Sequence, residues 1–532
     1  MQYVVEDFSP AEQDLLSRYV TNLDQPVFAL INLPEVVKGA LFARYSRSAK
    51  SLRRLLLDEF ADDLEPQAAP VEAGQAGRAE RLYERVFVEY GDDSVAQLGG
   101  AHVAVEQASN LLTKVLEWGR LAAYLEQSTR YIAYDDQPGG RYRYYRDPDI
   151  MASRHARAYE ETLDAVFDTY AALLPRLRGW CEQRFPQPHD VSERVYRNTI
   201  SAKTCDVLRG LLPAATVSNV GIFASGQAYE SLLLRLRSHE LAEARAVGEQ
   251  LLVELRQVVP SFVTRVDRPD RGEVWADYLA STRAAARAVA EELVGGEKPR
   301  EAAEVELVGF SPDAEVELLT GMLYPYTQLP EAQLRSVVEA LSADERARVV
   351  RAYVGDRTNR RHKPGRALER VWYRFDVCSD YGAFRDLQRH RMLTIDWQEL
   401  SPAHGYDVPA EIVEAGLEDD WHAALGRQAA LWERLVDDFP RQAQYAVGFA
   451  YKLRYSMQLN ARAALQMLEL RTTPQGHPSY RRVCQTMHRL IAEEAGHRGV
   501  AEMMRFVDHG AAELERLEAE RASEARRQGR GG

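Results

Sequence analysis

The chain runs to 532 residues and carries 67 lysines and arginines against 80 aspartates and glutamates, a formal charge of −13. That length exceeds the roughly 250–300 residues at which one hydrophobic core stops growing, so two domains are expected. The negative balance argues against nucleic acid as a partner and against coating an anionic membrane, while small anionic ligands stay open wherever arginines cluster.

Residues 1–10 carry Glu6 and Asp7 with no basic-then-apolar segment, and no apolar run nears the roughly 18 residues that span a bilayer. Cys181, Cys205, Cys378 and Cys484 stand far apart without a C-x-x-C pair, which indicates neither a zinc ribbon nor a disulfide framework. A soluble cytoplasmic protein with reduced thiols is expected, with thiol nucleophilic catalysis disfavoured.

In chain order, residues 3–8 read as a strand, and Ser9-Pro10-Ala11-Glu12 opens the following helix. Residues 63–78, rich in Ala, Gly and acidic side chains, read as a surface loop. A helical stretch over 106–125 leads into the polar segment Glu126-Gln127-Ser128-Thr129-Arg130-Tyr131. A long Ala/Arg/Glu helix over 278–293 ends at the turn-rich residues 294–300, which mark a linker. Residues 305–310 then form a strand, and Ser311-Pro312-Asp313 opens a helix with proline in its first turn. Residues 369–377 alternate as a half-buried strand, followed by a helix over 382–388 that runs into Arg389-His390-Arg391. The stretch 460–471 is made of strong helix formers without Gly or Pro, and residues 513–532 form a charged tail that dissolves into disorder.

Two segments recur. Phe-Ser-Pro stands at 8–10 and again at 310–312, and Leu232-Leu233-Leu234-Arg235-Leu236-Arg237 resembles Leu465-Gln466-Met467-Leu468-Glu469-Leu470-Arg471. Order and position agree, so two tandem diverged copies are expected over 1–293 and 303–512.

The chemistry is carried by arginines. Arg389, His390 and Arg391 offer a planar, donor-rich surface suited to phosphates or to the edge of a flavin, though a salt-bridged helix end would carry the same triplet. On the helix 460–471, Asn460, Ala464, Met467 and Arg471 share a face, with Asn460 and Arg471 about 16 Å apart along the axis. They therefore serve different ligands or different parts of one, unless they merely cap and pair with neighbours. The segment Glu126 to Tyr131 supplies short hydroxyls, a carboxylate and Arg130. The hydroxyls of Ser128 and Thr129, backbone N–H groups and the forked guanidinium of Arg130 are what a nucleotide monophosphate needs, although a polar turn reads the same way. Arg209, just before Gly210-Leu211-Leu212-Pro213, and Arg237 add charge of the same kind.

Together these residues resemble the flavin-dependent thymidylate synthases, whose members carry R-H-R-x-x-S-x-N-E-x-S-x-R-Y, a preceding G-H-x-S-V, and later A-R-x-x-L-P and N-x-R…L-R segments. The second half matches at Arg389-His390-Arg391, Asn460, Arg462 and Arg471, but has Thr394, Asp396, Trp397, Glu399 and Ser401 where the motif has Ser, Asn, Glu, Ser and Arg. The first half departs in the opposite places. Trp118-Gly119-Arg120 replaces R-H-R, whereas Glu126, Ser128, Arg130 and Tyr131 match; Gly91-Asp92-Asp93-Ser94-Val95 lacks the histidine; and Arg209 to Pro213 matches with Leu208 for the alanine. Gly226 and Ala228 stand for the helix Asn and Arg, and Arg237 is kept.

The resemblance implies an α+β fold, each copy a mixed sheet packed with long helices. It implies FAD held by Arg389, His390, Arg391, Asn460, Arg462, Gln466 and Ser94, and deoxyuridylate (dUMP) held by Glu126, Gln127, Ser128, Thr129, Arg130, Arg209 and Arg237. Arg237 would polarise the pyrimidine, with Arg471 its substitute if the halves are reversed. Methylenetetrahydrofolate and NADPH would be co-substrates, and no metal is implied. The losses are complementary: the second half keeps flavin contacts and the first keeps nucleotide contacts. Composite sites follow, in a homodimer that forms a pseudo-tetramer. An alternative is a paralogue with altered or lost activity that binds flavin or nucleotide in an oligomer. A third, unrelated reading is a di-metal helical enzyme built on Glu493, Glu494 and His497, for which no second E-x-x-H pair is found and which a solvated C-terminal helix face explains better.

Overall fold

The computed structural model describes residues 6–25, 28–35, 37–38, 41–42, 50–60 and 97–511, with 514, 517, 521, 524 and 525 of the tail. Ser94 with its segment 91–95, the 63–78 loop, residues 3–5 of the first strand and most of the tail lie outside the described residues.

After a short helix, Pro10–Leu16, the first half forms β1 (Gly100–Ser109), α1 (Asn110–Leu116) and β2 (Ala122–Glu126). Two long helices follow, α2 (Ala156–Arg184) and α3 (Glu193–Leu208), then β3 (Val217–Ser225), α4 (Gly226–Arg237), α5 (Ala242–Val258) and α6 (Gly272–Val294). The second half forms β4 (Val305–Phe310), α7 (Ala314–Leu323), β5 (Trp372–Asp380), α8 (Tyr381–Gln388) and β6 (Thr394–Trp397). It closes with α9 (Glu418–Leu435), β7 (Lys452–Asn460), α10 (Ala461–Arg471) and α11 (Pro478–Glu493).

The internal duplication is visible in strand order. The first sheet runs β1-β3-β2 and the second β4-β5-β7-β6, so β5-β7-β6 repeats the arrangement of β1-β3-β2 with one further edge strand. The class is α+β, as expected; the ladders of the second sheet are all antiparallel rather than mixed. Its inner face follows from alternation: Tyr373, Phe375 and Val377 of β5 are buried opposite Leu459, Met457 and Tyr455 of β7.

The described chain divides into two compact units that do not follow the two halves. One holds Met1–Glu106, Val115–Glu126 and Asn219–Glu297; the other holds Gln107–Lys114, Gln127–Ser218 and Lys298–Gly532. In the second unit α2 presents Tyr159, Leu163, Phe167, Tyr170, Leu174 and Leu177 as a buried face that packs against α3 and α9. There also the backbone of residues 210–215 pairs with that of 445–450: Ala450 N donates to Gly210 O at 2.9 Å, Phe449 N to Leu212 O at 3.0 Å and Ala214 N to Val447 O at 2.8 Å.

Three local expectations are corrected. The helix over 106–125 is instead strand, helix and strand; its Ala, Glu and Gln favour helix, but β2 is captured by its antiparallel ladder on β3. Gly119 breaks the run where a Cβ would meet the Tyr124 hydroxyl at 2.5 Å. Pro312 lies in a turn and α7 starts two residues later behind Asp313. The β5 strand begins at Trp372, because residues 366–370 form a short tight helix. The capping box of Ser9 and Glu12 is present, with Ser9 N donating to Glu12 Oε2 at 2.7 Å.

Candidate functional site: a guanidinium cluster at the ends of β5 and β7

Two strand-to-helix joins and one helix-to-helix join in the second unit set the position of the arginines. Asp380 ends β5 and caps α8, its Oδ1 accepting from Ala383 N at 2.8 Å, and Asn460 ends β7 and caps α10, its Oδ1 accepting from Ala463 N at 2.8 Å. His477 caps α11, accepting from Ser479 N through Nδ1 at 3.2 Å. The helices α8 and α10 carry Asp386 and Arg471 to one place, and Arg389 caps the end of α8.

Asp386 is the centre of the cluster. Its carboxylate accepts from Arg389 Nη2, and Arg471 Nη1 and Arg209 Nη1 each stand 3.5 Å away. Burial alone would push this carboxyl up, but Arg389, Arg471 and Arg209 hold it well below the usual carboxylate range. Arg471 is fixed further by Nη2 donating to the Asp386 carbonyl at 2.5 Å and by Nε donating to His390 Nε2 at 2.8 Å. His390 is therefore an acceptor: burial first, then Arg471 and Arg389, hold its pKa well below the ordinary histidine value. Gly382 leaves the room these groups need, since a Cβ there would stand 3.2 Å from Arg209 Nη2 and 3.0 Å from Asp380 Oδ1.

A second pair joins the cluster through Tyr480. Arg130 donates to both carboxylate oxygens of Asp206 at 2.5 Å and to the Tyr480 hydroxyl at 3.1 Å, and Arg471 lies 5.4 Å from the Tyr480 ring centre. Against the upward push of burial, Arg130, His477 and Arg209 hold Asp206 below its ordinary value. His477 is kept neutral by burial and by Arg209, with Nε2 3.3 Å from the Asp206 carbonyl. Its Nδ1 accepts, so the proton is assigned to Nε2, which donates.

Of the residues singled out in the sequence, the second unit thus brings Arg130 and Arg209 of the first half together with Arg389, His390 and Arg471 of the second. Arg391 is exposed beyond them. Asn460 serves as a cap, Arg462 donates to Pro364 O at 3.2 Å, and Gln466 accepts from Lys363 Nζ at 2.7 Å. Ser128 Oγ accepts from Arg130 N at 3.2 Å, Thr129 is buried, and Gln127 O accepts from Ser218 Oγ. Glu126 and Arg237 belong to the first unit, where Glu126 faces Val220 at the end of β2 and Arg237 pairs with Glu249 at 2.5 Å. Trp397, standing where the motif has glutamate, packs on Phe384 with ring centres 5.4 Å apart. His497 lies on no solvated helix face: its Nδ1 is 3.0 Å from the Tyr373 hydroxyl and its ring meets Phe310 edge-on. Among the described residues no group of three or more His, Cys, Asp or Glu is placed to hold a metal ion. No helix of the described residues is long and apolar enough to cross a membrane.

Asp206, Asp386, Tyr480 and His477 were not singled out in the sequence. A signal for two of them was there: Asp206 and Asp386 stand three residues before Arg209 and Arg389 in helical segments, a D-x-x-R spacing that recurs in both halves.

The family model described as "Thymidylate synthase complementing protein" matches residues 40–261 and again 307–496. The chain belongs to the flavin-dependent thymidylate synthase family. The two matches are two tandem copies, one in each half. Over the whole length the chain is similar to curated members named UPF0159 protein. It is 38% identical to that of Chlamydia muridarum over 97% of this chain and 98% of the relative, and 39% identical to that of Chlamydia pneumoniae over 98% of each. The UPF0159 protein of Thermoplasma acidophilum is 30% identical over 91% of this chain and 97% of its own. Among solved structures, a UMP/dUMP methylase PolB from Streptomyces cacaoi bound with 5-Br dUMP matches 39% of this chain and 99% of its own, at 16% identity and a TM-score of 0.30.

Proposed function

We propose that this thymidylate synthase family member methylates dUMP at C5, with methylenetetrahydrofolate as carbon donor, NADPH as reductant and FAD as cofactor, in a site to which both halves contribute. One observation carries the reading: Arg209 of the first half and Arg389 and Arg471 of the second meet at a single carboxylate, Asp386. A nucleotide monophosphate brings charge and ring carbonyls that guanidiniums recognise. Arg209 retains an unpartnered Nη2, and Arg130 sits beside it through Asp206, so the first half supplies the phosphate side of this reading.

The residues of the second half fit a flavin in donor chemistry. Arg391 is exposed, Arg462 is half-exposed with its guanidinium on Pro364 O and Glu369, and Lys363 lies on Gln466, which together suit a diphosphate and the edge of a flavin ring. FAD would supply the hydride that completes the methyl group. The protein's share is orientation and electrostatics. A guanidinium beside a pyrimidine carbonyl stabilises the anion that forms when the ring is activated, with Arg237 the first candidate and Arg471, held by His390 and Asp386, the second. His390, neutral and accepting, keeps Arg471 in one orientation without adding charge. Two chains would rebuild the four-module assembly in this reading, in a cytoplasmic enzyme.

The visible spectrum of the purified protein, with and without dUMP, tests both halves at once. A yellow protein whose flavin band shifts on adding the nucleotide is expected, with one flavin per chain; two flavins per chain would overturn the shared site. A second reading, a paralogue with altered activity, draws on Trp397 in the glutamate position. Rescue of a thymidine-requiring strain separates the two.

A further inference from the structure

The triplet Trp118-Gly119-Arg120, which stands in the first unit where the motif has R-H-R, meets the last turn of α4. Arg235, in that turn, sets its Cζ 5.5 Å from the centre of the Trp118 ring. A Cβ on Gly119 would stand 2.5 Å from the Tyr124 hydroxyl and 3.6 Å from Arg235 Nη2, so tyrosine and guanidinium take the room that a side chain at this position would need. The internal anion has gone as well. In the second half Asp386, three residues before Arg389, gathers the guanidiniums, whereas three residues before Trp118 stands Val115.

Arg235 is half-buried, and among the described residues no carboxylate pairs with it. Burial pushes its pKa down, with Tyr124 acting the other way. Its neighbours in the unit are balanced: Arg237 has Glu249, Arg256 has Asp267 and Arg265 has Glu230. Two further guanidiniums at this end of α4 face carbonyls instead. Arg245 donates to the His239 and Glu240 carbonyls at 2.7 and 2.8 Å, and Arg283 to that of Ser238 at 2.7 Å. His239 feels the excess: burial first, then Arg283, with Arg245 and Arg235 adding and Glu240 opposing, brings its pKa down to about 4. Arginines in a last turn favour the helix dipole, but that partial charge does not offset the desolvation of an unpaired guanidinium. An anion is what the place lacks. Three guanidiniums against Glu240, itself held by Arg287 at 2.8 Å, favour a dianion over a monoanion. Trp118 is 44% exposed, so the place opens to solvent.

We propose that the first unit binds a phosphate monoester at the Arg235 guanidinium, beside the Trp118 ring. Such a group offers the oxygens that a guanidinium fork donates to, and it carries close to two charges at pH 7. Neither Arg235 nor Trp118 has a part in the methylation site, so the inference stands whether or not that reading holds.

The test titrates the full chain with phenyl phosphate, and with benzoate as the monoanion, by calorimetry and tryptophan fluorescence at pH 7.5. Phenyl phosphate should bind saturably and raise the thermal midpoint, and benzoate should bind at least about fivefold more weakly. W118F keeps a ring and should hold the affinity within about twofold, whereas W118E sets a carboxylate beside the guanidinium and should weaken phenyl phosphate at least about tenfold. R235M should weaken it as much while leaving the ligand-free thermal midpoint level or higher, because it removes a cation without a counter-charge; an arginine held for structure alone would lower the midpoint on removal. Absence of saturable binding, binding unmoved by R235M and W118E, benzoate as tight as phenyl phosphate, or a lower midpoint for R235M overturns the proposal. The flavin band of R235M titrated with dUMP tests the methylation reading separately.

Discussion

Replacing Asp206 with alanine leaves the Arg130 guanidinium without its anion in a place where water scarcely reaches. The side chains of this pair are 12% and 5% exposed, and two hydrogen bonds of 2.5 Å join them. Removing one partner of a buried pair costs roughly 3–5 kcal/mol; with Arg130 still held by Tyr480 and with some solvent access, about 3 kcal/mol is expected for D206A. That is a shift of about 150-fold in the folding equilibrium. Removing both charges together is a different matter. R130M/D206L exchanges the pair for apolar groups of similar volume and should come within about 1 kcal/mol of the parent, because the unpaired charge is gone. Urea denaturation at pH 7, followed by tryptophan fluorescence over the four proteins of the cycle, gives the coupling directly. The pair also has a signature in acid. Asp206 is held below its unfolded value, so its contribution is complete above about pH 4 and fades as pH falls through the lower folded value. The acid limb of D206A should be shallower than that of the parent. A single-mutant cost under about 1 kcal/mol, or a double mutant as unstable as the sum of the singles, refutes the account.

His390 and His477 are buried neutral, with pKa values well below the ordinary 6.5, so the unfolded chain takes up protons first as pH falls. Stability should be level above about pH 6.5 and decline below it by up to about 1.4 kcal/mol per pH unit for each histidine, and H390Q and H477Q should each flatten that slope in pH-dependent urea melts. In the first unit, a Cβ on Gly272 would stand 2.0 Å from the Val266 carbonyl oxygen, a backbone atom that cannot swing aside. G272A should therefore cost about 3 kcal/mol or more, read as loss of the first thermal transition in calorimetry.

The helices were legible where sequence carried both periodicity and punctuation. Asn460 to Arg471 reads as an uninterrupted helix, and the structure places that helix behind an Asn460 cap. The 106–125 stretch failed because Ala, Glu and Gln state a local preference, while its fate is set by β3, whose pairing residues arrive almost a hundred positions later. At the cluster, the arginines were legible as donors and their partners were not. Asp386 looks like one more polar residue on a short helix until Arg209, from the other half, is seen against it. Nor does a linear reading show that compact units need not be contiguous: the first unit does end at Glu297, inside the 294–300 linker, but segment 127–218 is folded with the second half, so that boundary is only one of several.

That interleaving bears on how the protein is born. The first unit is complete once residue 297 has been made, but the second must keep α2 waiting for α9 and the backbone of residues 210–215 waiting for that of 445–450. At synthesis rates of roughly 5–20 residues per second the delay is on the order of ten to fifty seconds. Throughout it, the part of the apolar face of α2 that α9 will cover and the strand-like edge of residues 210–215 lack their native partners. The nascent chain thus has an early-closing unit and a long-exposed one, and it is in the second that aggregation and chaperone dependence should concentrate.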